Sequence, residues 1–156
     1  MSERAQPGLA ASEPTARMRQ VLVAQGEFEL ALARHLGLRP MDLHAMSHLA
    51  GTPMGPVELA GRLGISTGSG TELADRLERA GHLHRRRAEG DRRRVVLEPD
   101  GAAVARLLRV LAPLVADLDD LVAGFTDAER DVITRYLEAV AARIRAHATR
   151  LDAGQG

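Results

Sequence analysis

The chain has 156 residues, 45% of them hydrophobic, a formal net charge of zero and no cysteine. That length supports one core of ordinary size, and the lack of cysteine excludes disulfides, thiolate metal sites and a thiol redox sensor. No apolar run approaches the ~20 residues that span a bilayer, and no basic-then-apolar start marks a leader, so a cytoplasmic protein with no membrane partner is expected.

Aromatic residues are scarce: Phe28, Phe125 and Tyr136, with no Trp. An Ala- and Leu-rich chain of this kind favours helices. Residues 1–14 hold Pro7, Gly8, Ser12 and Pro14 without periodicity and are expected to be a disordered tail. Thr15 is placed to cap a first helix running to His35 or Leu36. Met18, Val21, Leu22, Phe28, Leu32 and Leu36 follow helical spacing there, and Gly37 stops it. Pro40 opens a second helix over 40–50 with Leu43, Met46 and Leu49 on one face. After the turn Gly51–Pro56 comes a short third helix, Val57–Leu63. Gly64 and Ile65 then lead to Ser66, a good cap for a fourth helix reaching about Ala80. Two helices joined by a short turn containing Gly have the spacing of a helix-turn-helix, whose second helix enters a major groove.

Next comes Arg85-Arg86-Arg87-Ala88-Glu89-Gly90-Asp91-Arg92-Arg93-Arg94, six arginines in ten residues. Unpaired guanidinium groups are too costly to bury, so this run belongs at the surface. Strand, Gly-containing turn and return strand to Pro99 make a hairpin. Six arginines stand against two acids over 82–97, whereas over 98–127 six acids stand against two arginines. A neutral protein with charge separated in this way presents a positive face to a polyanion. Asp100 then caps a fifth helix over roughly 101–123, in which Pro113 marks either a kink or a break. Thr126-Asp127-Ala128-Glu129 is a capping box for a sixth helix. Residues 152–156 are expected to be a disordered tail. Helices one, five and six are apolar over more surface than the central unit needs, which points to pairing with a second copy.

Taken in register, these motifs resemble the MarR family of bacterial transcriptional regulators. Leu59-Ala60 with Leu63-Gly64-Ile65-Ser66 resembles that family's first helix-turn-helix helix and turn. Asp75-Arg76-Leu77-Glu78-Arg79-Ala80-Gly81 resembles the end of its recognition helix, and Asp91-Arg92-Arg93 its wing signature Asp-x-Arg. Asp100 falls where the family usually has a Thr capping the long fifth helix. The resemblance covers roughly residues 16–150. It implies a mainly α fold with a small β-hairpin wing: a winged helix-turn-helix flanked by N- and C-terminal dimerisation helices. It further implies one domain over 15–151, with a DNA-binding lobe at 40–99 and a helical dimerisation lobe at 15–37 and 100–151.

By position, the resemblance assigns Ser66, Thr67, Ser69 and Thr71 to phosphates and base edges, with Arg76 on the same helix. It places Arg86, Arg87 and Arg94 along the wing. Arg92 or Arg93 takes the minor-groove role, and Asp91 orients the wing arginines. Partners are double-stranded DNA, a second copy of the chain, and a small-molecule effector of phenolic or lipophilic type. The effector pocket falls near helices one, two and five, where Phe28, His44 and His48 are the candidates. Two features depart from the family pattern. Gly68 and Gly70 each cost about 1 kcal/mol against Ala inside a helix, so the recognition helix is expected to start late or to order on DNA. Glu72 repels phosphate unless it accepts from a cytosine amino group.

His44 and His48 have the i, i+4 spacing of metal ligands, but no third ligand accompanies them, so no metal and no cofactor are expected. His82 and His84 are expected to meet phosphate or solvent. Asp117, Asp119 and Asp120 read as a solvated acidic surface. No Ser/His/Asp arrangement, phosphate-binding loop or dinucleotide fingerprint is present, and an enzyme is not expected. Two functions stay open at this point. One is a dimeric repressor on a palindromic operator, released by a small molecule. The other is a helical protein–protein adaptor that keeps the winged fold with weak DNA reading, supported by Glu72 and the two glycines.

Overall fold

The structure, a computed structural model, describes residues 11–88 and 91–154, with side chains for all of these except 88 and 91–94. Its elements in order are α1 (Glu13–Leu36), α2 (Pro40–Gly51), α3 (Pro56–Leu63), α4 (Thr67–Arg79), β1 (Leu83–Ala88), β2 (Asp91–Pro99), α5 (Gly101–Ala123) and α6 (Asp127–Asp152). The chain is therefore mainly helical, with six helices and one antiparallel hairpin among the described residues. No described helix is long and apolar enough to cross a membrane.

The helix ends follow from local chemistry, with one correction. The cap of α1 is Ser12 and not Thr15. Pro14 sits in the first turn, where its fixed φ and missing N–H cost nothing, and this draws the start back to Glu13. The Thr15 hydroxyl instead lies 3.0 Å from that of Ser12. Asp100 caps α5, its Oδ1 accepting from the N–H groups of Ala102 and Ala103 at 3.0 Å each. Thr126 and Glu129 form the expected reciprocal box at the start of α6: Thr126 N–H donates to Glu129 at 2.8 Å. Pro113 does not break α5, which is helical through Ala123.

The chain divides into two compact units between Val110 and Leu111. In the first unit, Leu49, Met54, Leu59, Leu77 and Leu97 are fully buried and form the centre of the core. Leu43, Met46 and Leu49 line the inner face of α2 as their spacing predicts. Met54, within the stretch Gly51–Pro56 whose composition predicts a turn, is a bridge partner of β2, with Leu97 N–H donating to its carbonyl at 2.8 Å. In the second unit, and along α5 as a whole, the pattern is reversed: neither α5 nor α6 has a buried residue. Large apolar side chains lie open instead, among them Leu118, Leu121, Leu137, Ile144 and Leu151.

Candidate nucleic-acid interface

Two elements of the first unit carry the candidate contacts: the N-terminal half of α4 and the hairpin. The α3–α4 turn is set by Gly64, whose φ of 66° is one that only glycine takes without strain. Ile65 N–H then closes the α3 end by donating to Ala60 at 3.0 Å. Ser66 caps α4, its Oγ accepting from Ser69 N–H at 3.2 Å. Helix α4 is amphipathic: Gly70, Leu73, Ala74 and Leu77 are buried at i, i+3, i+4 and i+7. Thr67, Gly68, Ser69, Thr71 and Glu72 are exposed. Of the candidate hydroxyls, Ser66 lies 2.9 Å from Ser69, and Thr71 donates to Thr67 O at 3.0 Å.

The expectation of a late or disordered start to this helix is corrected. Helix α4 begins at Thr67, directly after its cap. Gly70 is there because α3 passes too close for any side chain. A Cβ at that position would lie 2.6 Å from Ala60 Cβ and 3.1 Å from Pro56 O. The glycine that looked like a weakness in the recognition helix is what lets it dock.

The hairpin pairs Leu83 with Pro99 through Arg87 with Val95, and its register shifts between Arg87 and Ala88. The three arginines of β1 differ in their surroundings. Arg85 is held by Asp75 and Glu78 of α4. Burial lowers its affinity for the proton, but the hydrogen bond to Asp75 and the charge of Glu78 outweigh this and the net shift is upward. Arg86 donates to Glu98 at 2.9 Å across the strands, and His84 lies 3.5 Å from the same carboxylate. The hydrogen bond from Arg86 holds the Glu98 carboxyl below its usual range. Arg87 is exposed. The expected contacts Asp91, Arg92, Arg93 and Arg94 lie outside the described side chains.

Arg76, expected on the DNA side, has a different partner. Its guanidinium grips the buried carboxylate of Asp42 on α2, with the second bond, from Nε to Oδ2, at 3.4 Å. The hydrogen bond to Asp42 raises its proton affinity against the cost of burial. A buried carboxylate needs such a partner, so Arg76 fastens α4 to α2. Nothing local announces this pair, whose members are 34 residues apart.

Of the expected effector residues, His44 and His48 lie one turn apart on α2 and Phe28 lies on α1. His44 lies 3.2 Å from Glu29 on α1, and its hydrogen bond holds that carboxyl below the usual range. His48 is exposed and Phe28 half-buried. Among the described residues no cluster of three His, Cys, Asp or Glu is placed to hold a metal. Among the described residues, a small cavity of the first unit lies between α1, α2 and α5. Its volume is about 10 Å³, and it is lined by Leu36, Leu43, Met46, His82, Arg106 and Leu107, among others. It has room for about one water.

His82, expected to meet phosphate or solvent, is instead 7% exposed. Gly81 ends α4 and turns it inward, where Arg106 Nη2 donates to its Nδ1 at 3.4 Å. Arginine only donates, so the Nδ1 of this imidazole must be unprotonated. Burial, and then the charge of Arg106, push its pKa below 6.5, while the nearby carboxylates of Asp42 and Asp100 oppose this. The unfolded chain therefore takes up a proton near pH 6.5 that the folded chain refuses. Stability from this group is intact above that pH and is lost as pH falls toward the lower folded value. Between pH 7.5 and 5.5, urea unfolding should show wild type losing stability faster than His82→Gln, by at most about 1.4 kcal/mol per pH unit. Parallel pH curves would show that His82 is not the responsible group. Glu29, Glu98 and Glu129, held low by their partners, lose their contributions only at more acidic pH.

Comparison with known proteins matches this geometry. A sequence profile of the MarR family fits residues 36–94, from the end of α1 through the wing arginines. The chain is 40% identical over 112 residues to YcgE of Bacillus subtilis (strain 168), an uncharacterized HTH-type transcriptional regulator, covering 70% of this chain and 72% of that one. A MarR family protein from Bacillus stearothermophilus superposes with a TM-score of 0.67 at 20% identity, over 87% of this chain and 99% of that one. A MepR mutant from S. aureus bound to an oligodeoxyribonucleotide superposes with a TM-score of 0.57 at 14% identity, over 86% and 99%. With that identity to a helix-turn-helix regulator, and a winged unit built as described, the chain belongs to the MarR family of DNA-binding transcriptional regulators, which are not enzymes.

Proposed function

We propose that the protein is a cytoplasmic homodimer that represses transcription from a palindromic operator and is released by a small molecule. The observation that carries the DNA-reading part is the exposed Thr67–Glu72 end of α4, anchored from behind by Gly70 and Arg76. Thr67, Ser69 and Thr71 are assigned to the major groove, with Ser66 at the phosphate beside its cap. Arg87, Arg92, Arg93 and Arg94 are assigned to the backbone and minor groove, and Asp91 to orienting them. Residues 40–99 form the DNA-binding lobe, and 15–37 with 100–151 the dimerisation lobe. The MepR complex with an oligodeoxyribonucleotide, a protein of the same fold, supports this assignment. An effector of phenolic size needs the small cavity beside His82 and Arg106 to open, which couples its binding to movement of α1, α2 and α5. The adaptor reading loses one of its supports, because Gly70 is fixed by packing.

The test is fluorescence anisotropy with DNA from upstream of the protein's own gene, across a salt series. Each phosphate neutralised adds about 0.9 to the slope of log K against log salt. Arg92→Ala with Arg93→Ala should weaken binding and lower that slope by about 1–2. An unchanged slope would remove the wing from the interface.

A further inference from the structure

Arg85 heads the arginine run and counts toward its positive charge. Its place in the strand gives it acidic partners. Alternation puts Leu83, Arg85 and Arg87 on one face of β1, and Leu83 on that face is buried in the core that includes Leu77 of α4. The Arg85 side chain thus starts on the face that turns toward α4. There its guanidinium meets Glu78, and Asp75 at 2.5 Å, while its own N–H donates to Glu78 Oε1 at 3.3 Å. Asp75 and Glu78 are one turn apart on α4, so one wing residue spans two carboxylates of the recognition helix. The side chain is 27% exposed.

We infer that Arg85 is a positioning residue: with Asp75 and Glu78 it clamps the wing at a fixed offset from the recognition helix, so that both reach one half-site together. It makes no phosphate contact itself. The inference rests on the assignment of α4 and the wing to DNA. Its consequence runs against simple electrostatics. Two carboxylates beside a polyanion should weaken binding, and removing them should tighten it. As parts of a clamp they strengthen binding, because a wing already in place loses less freedom on docking.

The experiment uses the full chain, the same upstream DNA and a salt series, with circular dichroism establishing that each variant is folded at the assay temperature. Asp75→Asn with Glu78→Gln should weaken binding about tenfold, with the salt slope unchanged. Tighter binding would overturn the clamp. Arg85→Gln should give the same loss at the same slope; a slope lower by about 0.9 would make Arg85 a phosphate contact and also overturn it. All three changes together should cost no more than either set alone, and additive losses overturn the clamp. Should Arg85→Gln fail to fold, the sign of the near-isosteric Asp75→Asn, Glu78→Gln effect decides by itself. Finally, Arg92→Ala with Arg93→Ala should cost less in the Arg85→Gln background than in wild type. An equal loss in both overturns the clamp and leaves the wing assignment standing. No loss in either overturns both.

Discussion

Leu137→Asp combined with Ile144→Asp should halve the mass of the protein in sedimentation equilibrium and weaken operator binding about a hundredfold or more. Both side chains are about half exposed, at 49% and 47%, and they lie seven residues apart on one stripe of α6 that continues to Leu151. A charge at either position costs the isolated chain little, since no residue of α6 is buried. The same charge in a covered interface faces desolvation without a partner, a cost of several kcal/mol per ion. Two long helices, α5 and α6, without a buried residue between them are a poor end state for a folded chain. Apolar surface on this scale marks a partner site. The loss of affinity follows from linkage. Two half-sites held in one dimer bind as a single event, and a monomer forfeits the effective concentration that the second half-site enjoys. Circular dichroism should stay helical in the variant. A dimer that persists and binds normally would place the interface away from the α6 stripe.

What could be read from the sequence was local. Ser66, Asp100 and Thr126 announced their caps because a cap needs only the residue and the next three. Leu43, Met46 and Leu49, and Leu73, Ala74 and Leu77, declared their inner faces by period. The order of these signals sufficed for the winged helix-turn-helix. What escaped depends on packing between elements distant in sequence. Arg76 finds Asp42, Arg106 finds His82 and Met54 finds Leu97, and none of these pairs has a sequence spacing that predicts it. The arginine run was legible only in part, for a related reason. Charge density was legible, but the acids that consume part of it, Asp75, Glu78 and Glu98, lie outside the run. Each pairing ties an arginine to the fold through an acid that a charge count over the run does not include.

The two glycines of α4 give the sharpest contrast, because one substitution should have opposite signs at two positions only two residues apart on the same helix. Both are helical, so Ala at either gains backbone entropy and propensity worth about 1 kcal/mol. At Gly68 a new Cβ meets only Ser66 Oγ at 3.9 Å, an ordinary contact. Gly68→Ala should therefore stabilise the fold by about 0.5–1 kcal/mol. At Gly70 the new carbon meets Ala60 Cβ at 2.6 Å and the Pro56 carbonyl at 3.1 Å. Neither neighbour is the loose end of a long side chain, so α3 and α4 must separate. Overpacking of this kind costs about 1–3 kcal/mol, which exceeds the propensity gain. Gly70→Ala should lower the urea midpoint and Gly68→Ala should raise it, with equal m values. The Gly70 variant should also lose DNA affinity while folded, because moving α4 off α3 moves the exposed Thr67–Glu72 face with it. Gly70→Ala matching or exceeding wild-type stability would mean that α3 yields freely, and the close α3–α4 approach would not be what fixes the recognition helix.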